Sequence, residues 1–282
     1  MTEWDVNPDY PSVVHLETWA KCNAACVFCP YPILDRQGIR MSDALIEKIL
    51  MDLEDFPKNH PFFISPFKVN EPFLDNRLLD ILEDINRRLP NAFLKLFSNG
   101  TPLTGKKLDR IESLSNVVYL WISLNDHRPI EYEATMKLPL KKTIKRLDLL
   151  HAKKKAGGFR HRVMISKVID GTSADNEFYG CVKSRYPLFE IVILKRESWI
   201  DFHEHDAIPQ EVPQRKCGRW SEIDITSTGV VSLCCMDGMC QYPIGDVSKQ
   251  HVLEVFNSPG YSRMRNGTQN RQAYDPCNRC TY

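Results

Sequence analysis

The chain has 282 residues, enough for one large domain or one domain with a small appendage. Its 37 Lys and Arg against 36 Asp and Glu leave a net charge of +1, so neither nucleic acid nor an anionic membrane is an expected partner. No apolar run reaches the length of a membrane span, and Met1-Thr2-Glu3-Trp4-Asp5 lacks the basic and apolar regions of a signal peptide, which predicts a cytoplasmic protein.

Ten cysteines are many for that compartment, where thiols serve metal ligation or catalysis and not disulfides. Val13 to Leu16 reads as a first strand, and Cys22-Asn23-Ala24-Ala25-Cys26-Val27-Phe28-Cys29, a Cys-x3-Cys-x2-Cys run, follows it. Ser42 can cap a helix in which Leu45, Ile46, Ile49, Leu50 and Leu53 recur at helical spacing. Phe62-Phe63-Ile64 predicts a second strand running on towards Val69. Asp75 then starts a helix with Leu78, Leu79, Leu82, Ile85 and Leu89 on one stripe. A third strand, Phe93 to Phe97, leads to Ser98-Asn99-Gly100, and Thr104 caps the next helix. The fourth strand, Val117 to Ile122, is apolar throughout, as expected of one covered on both faces. A basic helix around Ile144, Leu147 and Leu150 precedes a fifth strand, Arg162 to Ile169, and a sixth, Leu188 to Leu194.

Such β–α alternation implies a parallel sheet with right-handed crossovers. Periodicity leaves open whether the sheet is doubly wound or a partial barrel. Thiol or polar groups stand after four successive strands: Cys22 to Cys29, Asn70-Glu71-Pro72, Ser98-Asn99, then Ser123 and Asn125. That placement favours a partial (β/α)6 TIM-like barrel over residues 1–196, whose site forms at the carboxyl ends of the strands. Residues 197–216 read as a charged, proline-containing linker in which His203-Glu204-His205 is solvated. Residues 217–282 are cysteine-rich and short on core, which predicts a second, smaller domain held together by metal. In it Ile223 to Thr226 and Val230 to Leu233 form a β-hairpin around Ser227-Thr228-Gly229.

Three thiolates fall one short of a closed structural zinc site, whereas a cubic iron–sulfur cluster held by three cysteines keeps one iron open. Cys22, Cys26 and Cys29, with Phe28 before the last of them, resemble the cluster motif of the radical S-adenosylmethionine (SAM) superfamily. The resemblance implies that SAM chelates the open iron. Asn70-Glu71-Pro72 stands where the family receives the SAM amino group, and Ser98 and Asn99 match its polar pair after the third strand. Ser123, Asn125 and Ser166 are further cofactor contacts on the same grounds. Bland alternatives remain: a surface carboxylate for Glu71, and a simple turn for Ser98-Asn99-Gly100.

Cys217, Gly229 and Cys234, then Cys277-x2-Cys280, resemble the SPASM/Twitch extension in its shorter form, with four cysteines on one auxiliary [4Fe-4S] cluster; a zinc ribbon uses the same ligand count. Adjacent side chains in a strand point to opposite faces, which turns Cys235 away from that cluster, as a core thiol or a hydrogen-atom donor. Cys181 and Cys240 remain unassigned.

The resemblance implies an enzyme supplied with electrons by a flavodoxin or ferredoxin. It would cleave SAM to a 5′-deoxyadenosyl radical and abstract a hydrogen atom from its substrate. In size and layout the chain is similar to sugar- and cyclitol-modifying members such as the 2-deoxy-scyllo-inosamine dehydrogenases. That makes dehydrogenation of a small polar molecule the leading expectation, followed by epimerisation with Cys235 as donor and by modification of a ribosomal peptide. A non-catalytic iron–sulfur electron carrier is the alternative from another class. Lys68 and Arg128 are candidates to orient an anionic group, and His127 to take a proton.

Overall fold

A computed structural model describes residues 7–196, 199, 200, 202 and 211–282. The expected solvated stretch His203-Glu204-His205 falls outside them. Six parallel strands alternate with helices: β1 (Val13–Leu16), α1 (Asp43–Glu54), β2 (Phe62–Ser65), α2 (Leu78–Arg88), β3 (Ala92–Ser98), α3 (Gly105–Ser113), β4 (Val117–Ser123), α4 (Pro129–Met136), α5 (Leu140–Lys155), β5 (Arg162–Val168), α6 (Ala174–Arg185) and β6 (Glu190–Leu194). Three more strands, β7 (Glu222–Ile225), β8 (Val230–Ser232) and β9 (Pro243–Asp246), precede α7 (Val252–Phe256) and α8 (Pro259–Asn266).

Local chemistry sets most of these boundaries. The Ser42 and Thr104 side chains cap α1 and α3, accepting from the backbone N–H of Leu45 and Lys107. Ile46, Ile49, Leu50 and Leu53 of α1 and Leu78, Leu82 and Ile85 of α2 are buried against the sheet, the stripe their spacing predicts. Two strands are shorter than expected. β2 stops at Ser65 because Pro66 offers no N–H to the ladder, and β6 begins only at Glu190. Asp75 does not open α2. Its carboxylate instead accepts from the Arg77 backbone and pairs with Arg40 at 2.6 Å and Arg77 at 2.9 Å, and the helix starts at Leu78.

All nine strands share one sheet, in the order β6-β5-β4-β3-β2-β1-β7-β8-β9. β7 lies parallel to β1, with Val13 opposite Glu222 and Leu16 opposite Ile225, while β7–β8 and β8–β9 are antiparallel. The cysteine-rich segment therefore extends the barrel sheet across its β1 edge. Residues of β1, β3, β4, β5, β6 and β7 all face one interior cavity, so the sheet curls around it as an open barrel.

One fully buried carboxylate ties the two parts together. Glu17, just past β1, forms a two-pronged pair with Arg36 at 2.6 and 3.1 Å and accepts the backbone N–H groups of Val69 and Ser227. Arg36 in turn donates to the carbonyl of Gly238. Paired and hydrogen-bonded in this way, a buried charge is tolerated.

Candidate active site

The cysteine loop is pinned from two sides. The Ala25 and Val27 N–H groups donate to the carbonyls of Met136 and Thr135 at the end of α4. Asn23 donates to the Thr101 hydroxyl at 2.8 Å and accepts from the Asn99 amide at 2.8 Å. The backbone of Cys29 turns back on Cys26, its N–H donating to the Cys26 carbonyl at 3.0 Å. Cys22, Cys26 and Cys29 thus converge on the mouth of a cavity of about 510 Å³ and line it together. Burial pushes the Cys22 thiol up to about 12 and Cys29 to about 11, and the thiols of Cys22 and Cys26 are raised further by the charge of Cys29. Metal ligation would draw these thiols to thiolates.

Glu71 stands beside them, buried. Its carboxylate accepts from the Asn99 N–H at 2.6 Å, the Ser98 hydroxyl at 2.9 Å and the Phe73 N–H at 3.2 Å. Burial nevertheless dominates those bonds and lifts the group to about 7. An ammonium brought to this carboxylate would stabilise its charged form. Asn70 accepts from the Lys68 N–H, but its amide Nδ2 is buried without a partner, a donor aimed at nothing in the protein. What such an orphaned donor lacks is an acceptor, which a ligand in the cavity could supply.

The remaining residues expected from the sequence divide cleanly. Phe28, Asn70, Glu71, Ser98, Asn99, Ser123, Asn125 and Ser166 all line this cavity with the three cysteines. Asn99 is nevertheless occupied: its side chain bonds Asn23 and Thr101, so it shapes the loop. Asn125, in the left-handed region at φ 64°, donates to the Met136 sulfur and accepts from the Val168 N–H. His127 does not line the cavity. Its ring sits 6.2 Å from that of Phe178 on α6, 3.6 Å from the Asp126 carboxylate. Arg128 is bound to Asp126 at 2.8 Å and is likewise not part of the wall. Lys68 lines the cavity but is engaged within the protein, donating to the Ser232 hydroxyl at 2.6 Å and the Cys234 carbonyl at 3.3 Å, with Asp224 at 3.9 Å.

Cys217, Cys234, Cys277 and Cys280 come together around a second, smaller pocket. Arg219, Met236 and Tyr282 line both it and the main cavity. Cys235 lines neither among the described residues. The alternation argument for it does not apply, because β8 ends at Ser232 and Cys234 and Cys235 lie in a turn closed by the Asp237 N–H on the Cys234 carbonyl. Cys181 is exposed on α6, and Cys240 sits at φ 58° in the following turn.

Sequence reasoning passed over the far end of the cavity, where His15, Lys95, Tyr119, Arg219 and Glu222 project inward. The signal was present in β3: Leu94 and Leu96 face the core, and Lys95 alternates with them beside Phe97 on the cavity side.

Residues 217–281 match the family model of the SPASM iron–sulfur cluster-binding domain. Solved structures match the whole chain in fold. BtrN in complex with AdoMet and 2-DOIA shares 18% identity at a TM-score of 0.65, covering 96% of this chain and 93% of that one. The chain has the fold of BtrN, with the SPASM match confined to residues 217–281. The native anSMEcpe structure with bound AdoMet gives 13% identity and a TM-score of 0.68 over 89% of this chain and 82% of that one. Streptococcus suis SuiB bound to precursor peptide SuiA gives 11% and 0.73 over 97% and 70%. At the level of sequence, no curated protein matches. No helix among the described residues is long and apolar enough to cross a membrane.

Proposed function

We propose that this protein is a SAM-dependent radical dehydrogenase of a small polar substrate, with one [4Fe-4S] cluster on Cys22, Cys26 and Cys29 and an auxiliary one on Cys217, Cys234, Cys277 and Cys280. The observation that carries the reading is the convergence of the cysteine triad, the Glu71 carboxylate and the orphaned Asn70 amide on one cavity. The matched neighbours bound to AdoMet support it. When bound, the first cluster and SAM supply a 5′-deoxyadenosyl radical that removes a hydrogen atom from the substrate.

The protein's own part is positioning and exclusion of water. Glu71, locked by Ser98 and two backbone N–H groups, accepts the SAM ammonium, and the free Asn70 Nδ2 donates to its carboxylate. Stacked and tilted rings of Phe67, Phe97 and Trp121, 5.1 and 5.6 Å apart, make an apolar middle section that keeps solvent from a radical. Arg219, Met236 and Tyr282 form the partition between this chamber and the second cysteine pocket, where an auxiliary cluster, when bound, would supply the electron acceptor for oxidation of the substrate. A cavity of about 510 Å³ is of the size of small-molecule sites.

Anaerobic reconstitution tests this reading. Two cubanes, about eight irons per chain, and deoxyadenosine released on reduction are expected. Deoxyadenosine formation that persists undiminished in a Cys26→Ala variant would overturn it. A Cys235→Ala variant that still yields oxidised product sets the dehydrogenase apart from an epimerase using that thiol.

A further inference from the structure

The floor of the main cavity carries more positive charge than its own carboxylates balance. Two pairs are made there. Arg219 holds Glu222 through Nη1 at 2.9 and 3.0 Å, and Lys68 faces Asp224 at 3.9 Å. Two groups remain. Both ring nitrogens of His15 face acceptors, the Phe67 carbonyl at 3.2 Å and Glu222 Oε2 at 3.3 Å, the arrangement of a doubly protonated imidazolium. Lys95 has neither a hydrogen bond nor an ion-pair partner among the described residues. Its Nζ rests 3.6 Å over the ring of Phe63, and burial presses the ammonium below its usual pKa. The nearest answering charge is Glu222, which lies beyond ion-pair distance of Lys95 and is already held by Arg219, so a ligand anion is what this partly buried lysine lacks.

We propose that the substrate carries an anionic group, a carboxylate or a phosphate, and that Lys95 receives it at the cavity floor, with His15 and Arg219 adding positive potential from the flanking wall. This rests on the cavity being the substrate chamber of the radical chemistry proposed above. Lys95 precedes Ser98 by three residues on β3, so the anion site lies roughly 10 Å along the strand from the Glu71 end. The anionic group is therefore a distal handle, several bonds away from the carbon that reacts. The rings of Phe97 and Trp121 between the two ends accommodate an uncharged body.

The test uses matched probes on the reconstituted, SAM-loaded protein: glucose against glucuronate and glucose 6-phosphate, and myo-inositol against myo-inositol 1-phosphate. Binding is read by ligand-observed NMR. At least one anionic member is expected to bind tenfold or more tightly than its neutral partner, and the glucuronate and phosphate arms separate carboxylate from phosphate. Lys95→Met should erase that preference, and Lys95→Arg should restore part of it. Methionine keeps the length and apolar stem of the side chain, and circular dichroism and iron content check that each variant folds and loads. The proposal is overturned if no anion outbinds its neutral partner, or if the preference survives in Lys95→Met. Deoxyadenosine release recorded on the same samples without any probe reports separately on the radical reading.

Discussion

Glu71 and His15 illustrate how differently two buried titratable side chains in one cavity are held. Glu71 is fixed by three donors, so Glu71→Gln keeps the shape while removing the charge and turning one acceptor into a donor. Loss of a charge-assisted bond of about 1.5–3 kcal/mol predicts SAM binding weakened by roughly 10- to 100-fold. Equilibrium dialysis of SAM against reconstituted protein, with iron content unchanged, measures it; unaltered affinity would remove Glu71 from the SAM site. For His15, burial lowers the pKa, but the charge of Asp224 and the bond to Glu222 outweigh it, and the net shift is upward. A raised folded pKa means that its contribution is complete below the ordinary histidine value near 6.5 and fades as pH climbs through the folded one. The melting-temperature gap between wild type and His15→Asn should accordingly narrow on the alkaline side; a gap constant across that range would show that the imidazolium is not what stabilises.

Between elements, Glu17 is a tie that reaches three separate segments. Replacing it with alanine strands the buried Arg36 guanidinium and leaves the Val69 and Ser227 N–H groups without an acceptor, which predicts a loss of about 3–5 kcal/mol by chemical denaturation. Arg36→Met with Glu17→Leu should recover much of it, since an apolar pair leaves no charge buried. A second element contact is steric. A methyl group on Gly245 of β9 would stand 2.6 Å from a Val255 methyl on α7, so Gly245→Ala should cost about 1–3 kcal/mol, and Gly245→Ala with Val255→Ala should return part of it.

Local signals made much of this legible from sequence. Ser42 and Thr104 announce their helices because a cap needs only its own first turn, and the Cys22 to Cys29 loop stands out because its three thiols are close together in the chain. The residues expected to bind the cofactor do line one cavity, since each stands near the carboxyl end of a strand or in the loop after one. What sequence could not supply was register over long distances. That β7 pairs with β1, and so sets Glu222 and Asp224 beside His15, depends on residues more than two hundred positions apart. Lys68 does line the cavity, but that same pairing ties its ammonium to Ser232 and Asp224, which its sequence neighbours do not reveal. Strand alternation could not place Cys235, because Cys234 and Cys235 both lie in a turn beyond the end of β8 at Ser232.

The unbroken nine-stranded sheet bears on the molecule as a unit. Removing residues 217–282 would bare the backbone edge of β1 and take away Asp224 and Ser232, the partners of buried Lys68. We expect the intact protein to unfold in one calorimetric transition and the truncated chain to aggregate; two resolved transitions would show that barrel and extension are separately stable.

The shared wall of Arg219, Met236 and Tyr282 has a consequence for how such a protein can change over generations. On the proposed reading, a mutation at Arg219 that refits the chamber to a new molecule would also alter the charge beside the second cysteine pocket, and with it the potential of a cluster held there. Choice of molecule and redox tuning would then be inherited together.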